Sequence, residues 1–183
     1  MKQQLSENGF CKNYFPFNEV DIETLKLIAK KLSKLELNRR KNIFQEFPEV
    51  RILFQRAVES CALNLELSDY CFFIEKTDEK NWPLLFHRDI NLPEYLNIQE
   101  EEKENFLKKS VMFRLTLDYT DKDTGALKVI AGSHVGRDKE EEFINTEEGE
   151  VIFFKPLLLH GSNKGLKKPH TRRVFQALCI ETS

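Results

Sequence analysis

The sequence SVMFRLTLDY at residues 110–119 alternates between two sets of side chains. In an extended chain, successive side chains point to opposite faces. The segment therefore has two faces, one formed by Met112, Arg114, Thr116 and Asp118 and the other by Phe113, Leu115 and Leu117. This period of two predicts a β-strand that separates two different environments.

Shorter candidate strands lie on both sides of this segment. They cover residues 70–76, 82–86, 127–130, 150–155 and 173–180. Turn-forming residues such as DKDTG at 121–125 separate them, and strands and helices do not alternate regularly. This pattern favours an antiparallel double sheet in the form of a sandwich or barrel.

The first 66 residues predict helices instead. Asp21 is a candidate N-cap, and Pro48 is well placed as the first residue of a second helix. After Asp21 the apolar residues fall on one helical face: Ile22, Leu25, Ile28, Ala29, Leu32 and Leu35. We expect one domain of 183 residues, in which a helical N-terminal part (1–66) packs against one sheet of a jelly-roll core (67–183).

The composition excludes several classes of protein. The chain carries 28 Lys and Arg against 30 Asp and Glu, a net charge of −2. No apolar run approaches the ~20 residues that span a bilayer, so we expect neither a membrane nor a nucleic-acid partner. The four cysteines form no CxxC pair and the N-terminus has no apolar signal segment, which favours a reducing, cytoplasmic location. The sequence predicts no particular oligomeric state.

The acidic residues 99–104 lie in a long connection that we place at residues 94–108. A charged run of this kind is usually a solvated surface. Long connections also form lids and binding loops, so both interpretations stay open here.

Three residues have the chemistry of a metal site. His87 and Asp89 are two positions apart, so in an extended chain both side chains can converge on one ion. His160 follows the apolar run 151–159 and precedes Gly161, which places it to project between the sheets. Two histidines and one carboxylate form the facial triad of non-haem Fe(II) oxygenases.

Two adjacent arginines, Arg172 and Arg173, open the last predicted strand. A guanidinium group binds a carboxylate through two parallel hydrogen bonds. On a strand beside the metal, it could hold the far carboxylate of a dicarboxylic cosubstrate. Alternation along the strand allows only one of the two arginines to face the site.

These motifs together resemble the phytanoyl-CoA dioxygenase-like family of Fe(II)/2-oxoglutarate oxygenases. The resemblance extends over nearly the whole chain. It rests on SENGF (6–10), WPLLFHRD (82–89), LDY (117–119), TGALKVIAGSH (124–134), GEVIFF (149–154), LHGSN (159–163) and the following Arg172. The two stretches that end in GSH and HGSN are together more specific than the His-x-Asp pair.

The resemblance implies a double-stranded β-helix braced by helices, with His87, Asp89 and His160 as the iron ligands. It also implies that Arg172 anchors the distal carboxylate of 2-oxoglutarate with the help of the Ser162 hydroxyl, and that O2 is the second cosubstrate. The reaction it implies is hydroxylation of a small molecule with release of succinate and CO2. Asp89 favours hydroxylation because halogenating relatives lack a carboxylate at that position.

Two further positions remain open. If Arg114 points inward, it needs an anion, since a buried unpaired charge is costly, and it would then contact 2-oxoglutarate or the substrate. If it points outward, it pairs with a surface acid. Lys76 occupies a position where the family often has a lysine, and it is either a site residue or an ordinary strand-edge lysine.

Two other functions compete with the oxygenase. A cupin-like enzyme could use the same three ligands without 2-oxoglutarate, and it would then have no need of the carboxylate anchor Arg172. A non-catalytic binding module could retain the same barrel, but it would have no need of a complete set of metal ligands.

Overall fold

A computed structural model describes residues 1–182, apart from the side chain of Asn38. Its strands are β1 (Phe10–Tyr14), β2 (Leu65–Thr77), β3 (Leu84–His87), β4 (Ser110–Thr116), β5 (Leu127–Ile130), β6 (Glu141–Ile144), β7 (Val151–Phe154), β8 (His160–Ser162) and β9 (Thr171–Glu181). Its α-helices are α1 (Lys2–Asn8), α2 (Glu19–Leu32), α3 (Ile43–Glu46), α4 (Pro48–Ser60) and α5 (Glu100–Lys109). Single 3-10 turns lie at Leu37–Arg40, Glu94–Leu96 and Ser133–Val135.

The strands form two antiparallel sheets. The larger sheet has the order β1-β7-β4-β9-β2, and the smaller one has the order β3-β8-β5-β6. The longest pairing joins β2 to β9, from Leu65 opposite Glu181 to Thr77 opposite Thr171. The predicted antiparallel double sheet is confirmed, and the two sheets of the described chain stay separate rather than closing into a barrel.

The helices cover the outer face of the larger sheet. Leu25 and Leu32 of α2 and Phe54 of α4 pack in one core cluster with Phe113 of β4 and Phe175 of β9. The ring of Phe54 lies 4.8 Å from that of Phe113 and 6.1 Å from that of Phe175. This arrangement confirms the expectation that the helices pack on one sheet.

The other face of the larger sheet looks toward the smaller sheet. A second core cluster between the sheets includes Met112, Ile152, Phe154, Leu178 and Val129. Met112 and Phe113 thus lie in different clusters, as the alternation at residues 110–119 predicts. Since Arg114 shares the face of Met112, this alternation turns the arginine toward the space between the sheets.

Three local features differ from the sequence-based expectations. The N-cap of α2 is Asn18, and Asp21 is its capping-box partner three residues later. The part predicted as helical also contains β1, which pairs with β7. The predicted connection at 94–108 largely consists of α5. The sequence of this helix shows no apolar pattern because only Leu107 is buried. Pro48 begins α4, as predicted.

The described residues include no helix that is both long enough and apolar enough to cross a membrane.

Gly161 lets β3 and β8 approach each other closely. A Cβ atom at this position would lie 2.6 Å from the carbonyl oxygen of Leu84. We expect Gly161→Ala to lower the free energy of unfolding by about 1–3 kcal/mol, the usual cost of overpacking, and to separate the strands that carry His87 and His160. Urea unfolding and metal titration would measure the two effects.

Gly136 provides the control for this substitution. Its φ of 70° is unfavourable for alanine, but nothing lies within 4 Å of the added Cβ. Gly136→Ala should therefore cost about 1–2 kcal/mol of stability, the usual penalty of a left-handed conformation, with metal affinity unchanged. Equal effects of the two substitutions on metal affinity would contradict the role given to Gly161.

Candidate metal centre and adjoining cavity

The side chains of His87, Asp89 and His160 converge at one end of the space between the sheets. His87 at the end of β3 lies directly opposite His160 at the start of β8. The Nε2 atom of His87 is 3.3 Å from Oδ1 of Asp89, and Nε2 of His160 is 3.5 Å from Oδ2. One ligand atom from each residue lies within 4.8 Å of the other two, which is the spacing of ligands around a single ion.

Backbone contacts fix the orientation of each ligand. Nδ1 of His87 is 2.9 Å from the carbonyl oxygen of Leu85, and Nδ1 of His160 is 2.8 Å from that of Leu158. Each Nδ1 can therefore donate its proton to a carbonyl, which leaves the Nε2 lone pair for a metal. The backbone N–H of Asp89 donates to the carbonyl of Pro156 at 2.9 Å and holds the third ligand.

The charges of the three groups support one another. Burial raises the pKa of Asp89, but the hydrogen bond and charge of His87, together with the charge of Arg114, outweigh it and hold the pKa below its ordinary value. The hydrogen bond with Asp89 raises the pKa of His87. Burial lowers the pKa of His160, so this imidazole stays neutral and available as a ligand at neutral pH.

Gln176 is a site residue that the sequence reasoning missed. It lies on β9 opposite Arg114 of β4. Its Nε2 donates to Oδ2 of Asp89 at 3.3 Å, and its Oε1 accepts from Nη1 of Arg114 at 2.7 Å. Arg114 thus fixes which end of the amide faces the carboxylate. The signal was present in the sequence, because residues 172, 174 and 176 share one face of the last strand.

We expect Gln176→Met to weaken metal binding by about 10- to 100-fold, as is typical when a ligand loses its hydrogen-bonded support. The methionine keeps the length of the side chain and removes only its polar end. Co(II) titration against a competing chelator would measure the change. Val174→Ala is the control, because it disturbs the same buried face without touching Asp89, and equal affinities in the two variants would contradict this role.

A cavity of about 240 Å³ extends from the three ligands along the inner face of the larger sheet. Three cationic side chains line it, and Arg172, Arg114 and Lys76 are 2%, 6% and 1% exposed. The remaining lining residues are Phe72, Ile74, Trp82, Leu84, Leu127, Gly161, Ser162 and Gln176, together with the three ligands. Asp89 is the only carboxylate among the lining residues.

The structure separates the two adjacent arginines. Arg172 faces the cavity, where its Nη1 donates to the carbonyl of Gly125 and its Nε has no partner among residues 1–182. Arg173 lies on the opposite face of β9 and forms a two-atom contact with Asp118, at 2.6 Å and 3.1 Å. Arg172 is therefore the arginine that can receive an anion in the cavity.

Lys76 and Ser162 lie beside Arg172. Nζ of Lys76 donates to the Ser162 hydroxyl at 2.9 Å and to the carbonyl of Trp82 at 2.6 Å. Lys76 is directly opposite Arg172 in the pairing of β2 with β9. Burial, followed by the charges of Arg172 and Arg114, lowers the pKa of Lys76 to about 7. Burial likewise lowers the pKa of Arg172 to about 9 and that of Arg114 to about 10.

The other two histidines lie apart from this centre. His134 lies in the turn Ser133–Val135, with Nε2 3.1 Å from the carbonyl of Ser6. His170 is buried just before β9, and its backbone N–H donates to Asp78. Neither residue lines the cavity of the three ligands.

The sequence matches the family model described as phytanoyl-CoA dioxygenase (PhyH) over residues 16–167. No curated protein sequence matches the chain at a significant level.

Several solved structures share the fold at low sequence identity. EctD from S. alaskensis with bound Fe has 17% identity and a TM-score of 0.74, over 98% of this chain and 75% of that one. HygX from Streptomyces hygroscopicus with nickel and 2-oxoglutarate bound has 13% identity and a TM-score of 0.73, over 100% of this chain and 87% of that one. For EvdMO1 the identity is 17% and the TM-score 0.66, and 99% of this chain spans only 49% of that one.

The match to the family model and the fold define the class, which is that of the Fe(II)- and 2-oxoglutarate-dependent oxygenases with a double-stranded β-helix. The chain belongs to the phytanoyl-CoA dioxygenase (PhyH) family, so the resemblance seen in the sequence is confirmed.

Proposed function

We propose that this protein is a dioxygenase that uses Fe(II), 2-oxoglutarate and O2 to hydroxylate a small molecule, with succinate and CO2 as coproducts. One observation carries the proposal. Three potential metal ligands and three buried cations line the same cavity, with Asp89 as its only carboxylate. Such an excess of buried positive charge is costly unless an anion enters.

The ligand set fits Fe(II). We assign His87, Asp89 and His160 as the metal ligands and catalytic residues, because two imidazoles and one carboxylate on one side leave positions open for other ligands. When bound, the metal and its cosubstrate would supply the oxidative chemistry, which amino-acid side chains cannot perform. The protein itself would hold His87 and His160 in place through the carbonyls of Leu85 and Leu158.

The cationic part of the cavity fits the dicarboxylate. We assign Arg172 to the distal carboxylate, because it is buried and its Nε lacks a partner among residues 1–182. The Ser162 hydroxyl, held by Lys76, would give a second hydrogen bond to the same group. We assign Arg114 to the cosubstrate as well, because it is buried and lines the same cavity as the three ligands and Arg172.

We further propose that residues 1–183 form one oxygenase domain. Side chains of α2 and α4 share a single core cluster with β4 and β9, so the helices depend on the strands for their burial. A cytoplasmic location stays a prediction of the cysteine pattern.

Anaerobic addition of Fe(II) and then 2-oxoglutarate to the metal-free protein tests the proposal. We expect a visible metal-to-ligand charge-transfer band that requires both additions. Bound iron without the band would favour a metalloenzyme that does not use 2-oxoglutarate. Failure to bind iron would favour a binding module on the same fold.

Binding of 2-oxoglutarate should take up a proton near neutral pH. The pKa of Lys76 is about 7 without ligand, and an adjacent dianion would raise it. Affinity should therefore fall as pH rises above 7, by up to about tenfold per pH unit, until the raised pKa is passed. Calorimetry in two buffers of different ionisation enthalpy would count the proton.

Lys76→Met is the variant that identifies the group responsible. It should remove the proton uptake while the charge-transfer band remains. Proton uptake that is the same in both proteins would assign the titration to another residue.

A further inference from the structure

A second cavity, of about 110 Å³, lies against the same metal ligands. Phe72, His87 and Asp89 line both this cavity and the cationic one. The other lining residues are Tyr70, Arg88, Asn91, Leu92, Met112, Pro156 and Leu178. Two of the three proposed metal ligands, His87 and Asp89, therefore form a shared wall between two spaces of different chemistry.

The second cavity has no cation directed into it. Arg88 is the only arginine or lysine among its lining residues, and the guanidinium donates to the carbonyls of Leu157 at 2.9 Å and Ser133 at 3.4 Å. Neither of these two residues lines the cavity. Among the lining residues, the only carboxylate is the metal ligand Asp89. A carboxylate that entered would find as opposite charge only Arg88, whose guanidinium is held by carbonyls outside the lining, and an ammonium group would find only Asp89, which the metal would use.

The walls of this cavity are mainly apolar. Phe72, Met112 and Leu178 form much of it, and Leu92 and Pro156 complete it. Tyr70 is an uncharged polar group, and its hydroxyl has no hydrogen bond to any residue in the described part of the chain. The Tyr70 ring is held 5.3 Å from that of Phe72 and 6.4 Å from that of Tyr95. These ring contacts fix the position of Tyr70, and its hydroxyl is available to a ligand.

We infer that this neutral cavity receives the primary substrate, and that the part that enters is uncharged, mainly apolar and carries a hydroxyl or carbonyl group for Tyr70. The assignment as substrate rests on the proposed function. The volume of about 110 Å³ admits a group of about four or five heavy atoms, since a cavity of about 150 Å³ holds the six of benzene. An amino-acid head group does not fit this chemistry, because burying an unpaired charge costs several kcal/mol.

Three compounds with five heavy atoms in the same arrangement test the inference: butan-2-ol, propanoate and butan-2-ylammonium. Binding would be followed by saturation-transfer NMR with protein loaded with Zn(II) and 2-oxoglutarate, which would occupy Asp89 and the cationic cavity. We expect the alcohol to bind at least tenfold more tightly than either ion. Equal binding of an ion would overturn the inference.

Two variants locate the binding. Leu92→Trp fills the cavity from a loop, outside the strands, and should weaken binding of butan-2-ol at least tenfold. Tyr70→Phe keeps the shape and removes the hydroxyl, and should weaken it about threefold to tenfold, the value of one hydrogen bond. Leu166→Trp is the matched control on an exposed leucine and should have no effect. Unchanged binding in both cavity variants would overturn the assignment.

Both measurements on the same protein distinguish a failure of this inference from a failure of the proposed function. If the Fe(II)/2-oxoglutarate band forms but the alcohol is not preferred, the substrate inference fails and the oxygenase stands. If the alcohol is preferred but the band does not form, the cavity is a neutral binding site and its role as a substrate site is overturned.

Discussion

Replacing Asp89 with alanine should abolish the Fe(II)/2-oxoglutarate charge-transfer band and reduce 2-oxoglutarate turnover at least a thousandfold. Asp89 would be the only anionic ligand of the proposed metal site, and it lies 3.3 Å and 3.5 Å from the two histidines. Its loss also removes the hydrogen bond that holds the pKa of His87 above its ordinary value. A thousandfold loss corresponds to about 4 kcal/mol of transition-state stabilisation. Anaerobic absorption spectroscopy and succinate release would measure the two effects.

Asp118→Ala is the control for this experiment. Asp118 is a partly buried carboxylate like Asp89, but it pairs with Arg173 on the other face of β9. The variant should keep the band and lose about 1–3 kcal/mol of stability, because Asp118 also accepts the backbone N–H of Arg173 and its loss leaves partly buried donors without a partner. A band that survives Asp89→Ala would refute the assignment of this residue as a ligand.

Arg172→Ala should raise the KM for 2-oxoglutarate at least a hundredfold, whereas Arg173→Ala should leave it unchanged. Loss of a charged partner from a buried carboxylate typically costs about 2–5 kcal/mol, and about 2.7 kcal/mol is a hundredfold. The two arginines are neighbours in the sequence but face opposite sides of β9, so each serves as the control of the other.

Iron binding distinguishes an anchor from a structural role. Arg172→Ala should still bind Fe(II) with wild-type affinity, because Arg172 does not contact any of the three ligands. The same increase in KM in both variants would contradict the distinction drawn from strand alternation, and a loss of iron in Arg172→Ala would point to a structural role.

The fold could be predicted because its main signals are local. The alternation at residues 110–119 correctly separates Phe113, which packs on the helices, from Met112, which lies between the sheets. The same rule of alternation correctly predicts that only one of Arg172 and Arg173 faces the cavity. The His-x-Asp spacing identified two candidate metal ligands, and the position of His160 after an apolar run identified the third candidate.

Other features depend on contacts that are distant in the sequence. Alternation from Arg172 places Gln176 on the cavity side of β9, but its contact with Asp89 depends on how β9 packs against the segment after β3 and is not visible in the residues around position 176. Helix α5 was missed because its sequence is almost wholly polar, with acids in the first turn and lysines in the last that suit the helix dipole. The inward direction of Arg114 depended on which sheet covers that face of the strand.

The position of β3 at the edge of the smaller sheet has a consequence for how the protein would respond to losing its metal. This strand has one neighbour, β8, and its register with that neighbour rests on two pairs, Leu84 with Ser162 and His87 with His160. An ion shared by His87, Asp89 and His160 would act as a cross-link that ties this edge to the strand beside it. Chelation would then release β3 from β8 while the helix-covered sheet stays folded. One bound ion would thus take part in the reaction and also hold the edge strand in place.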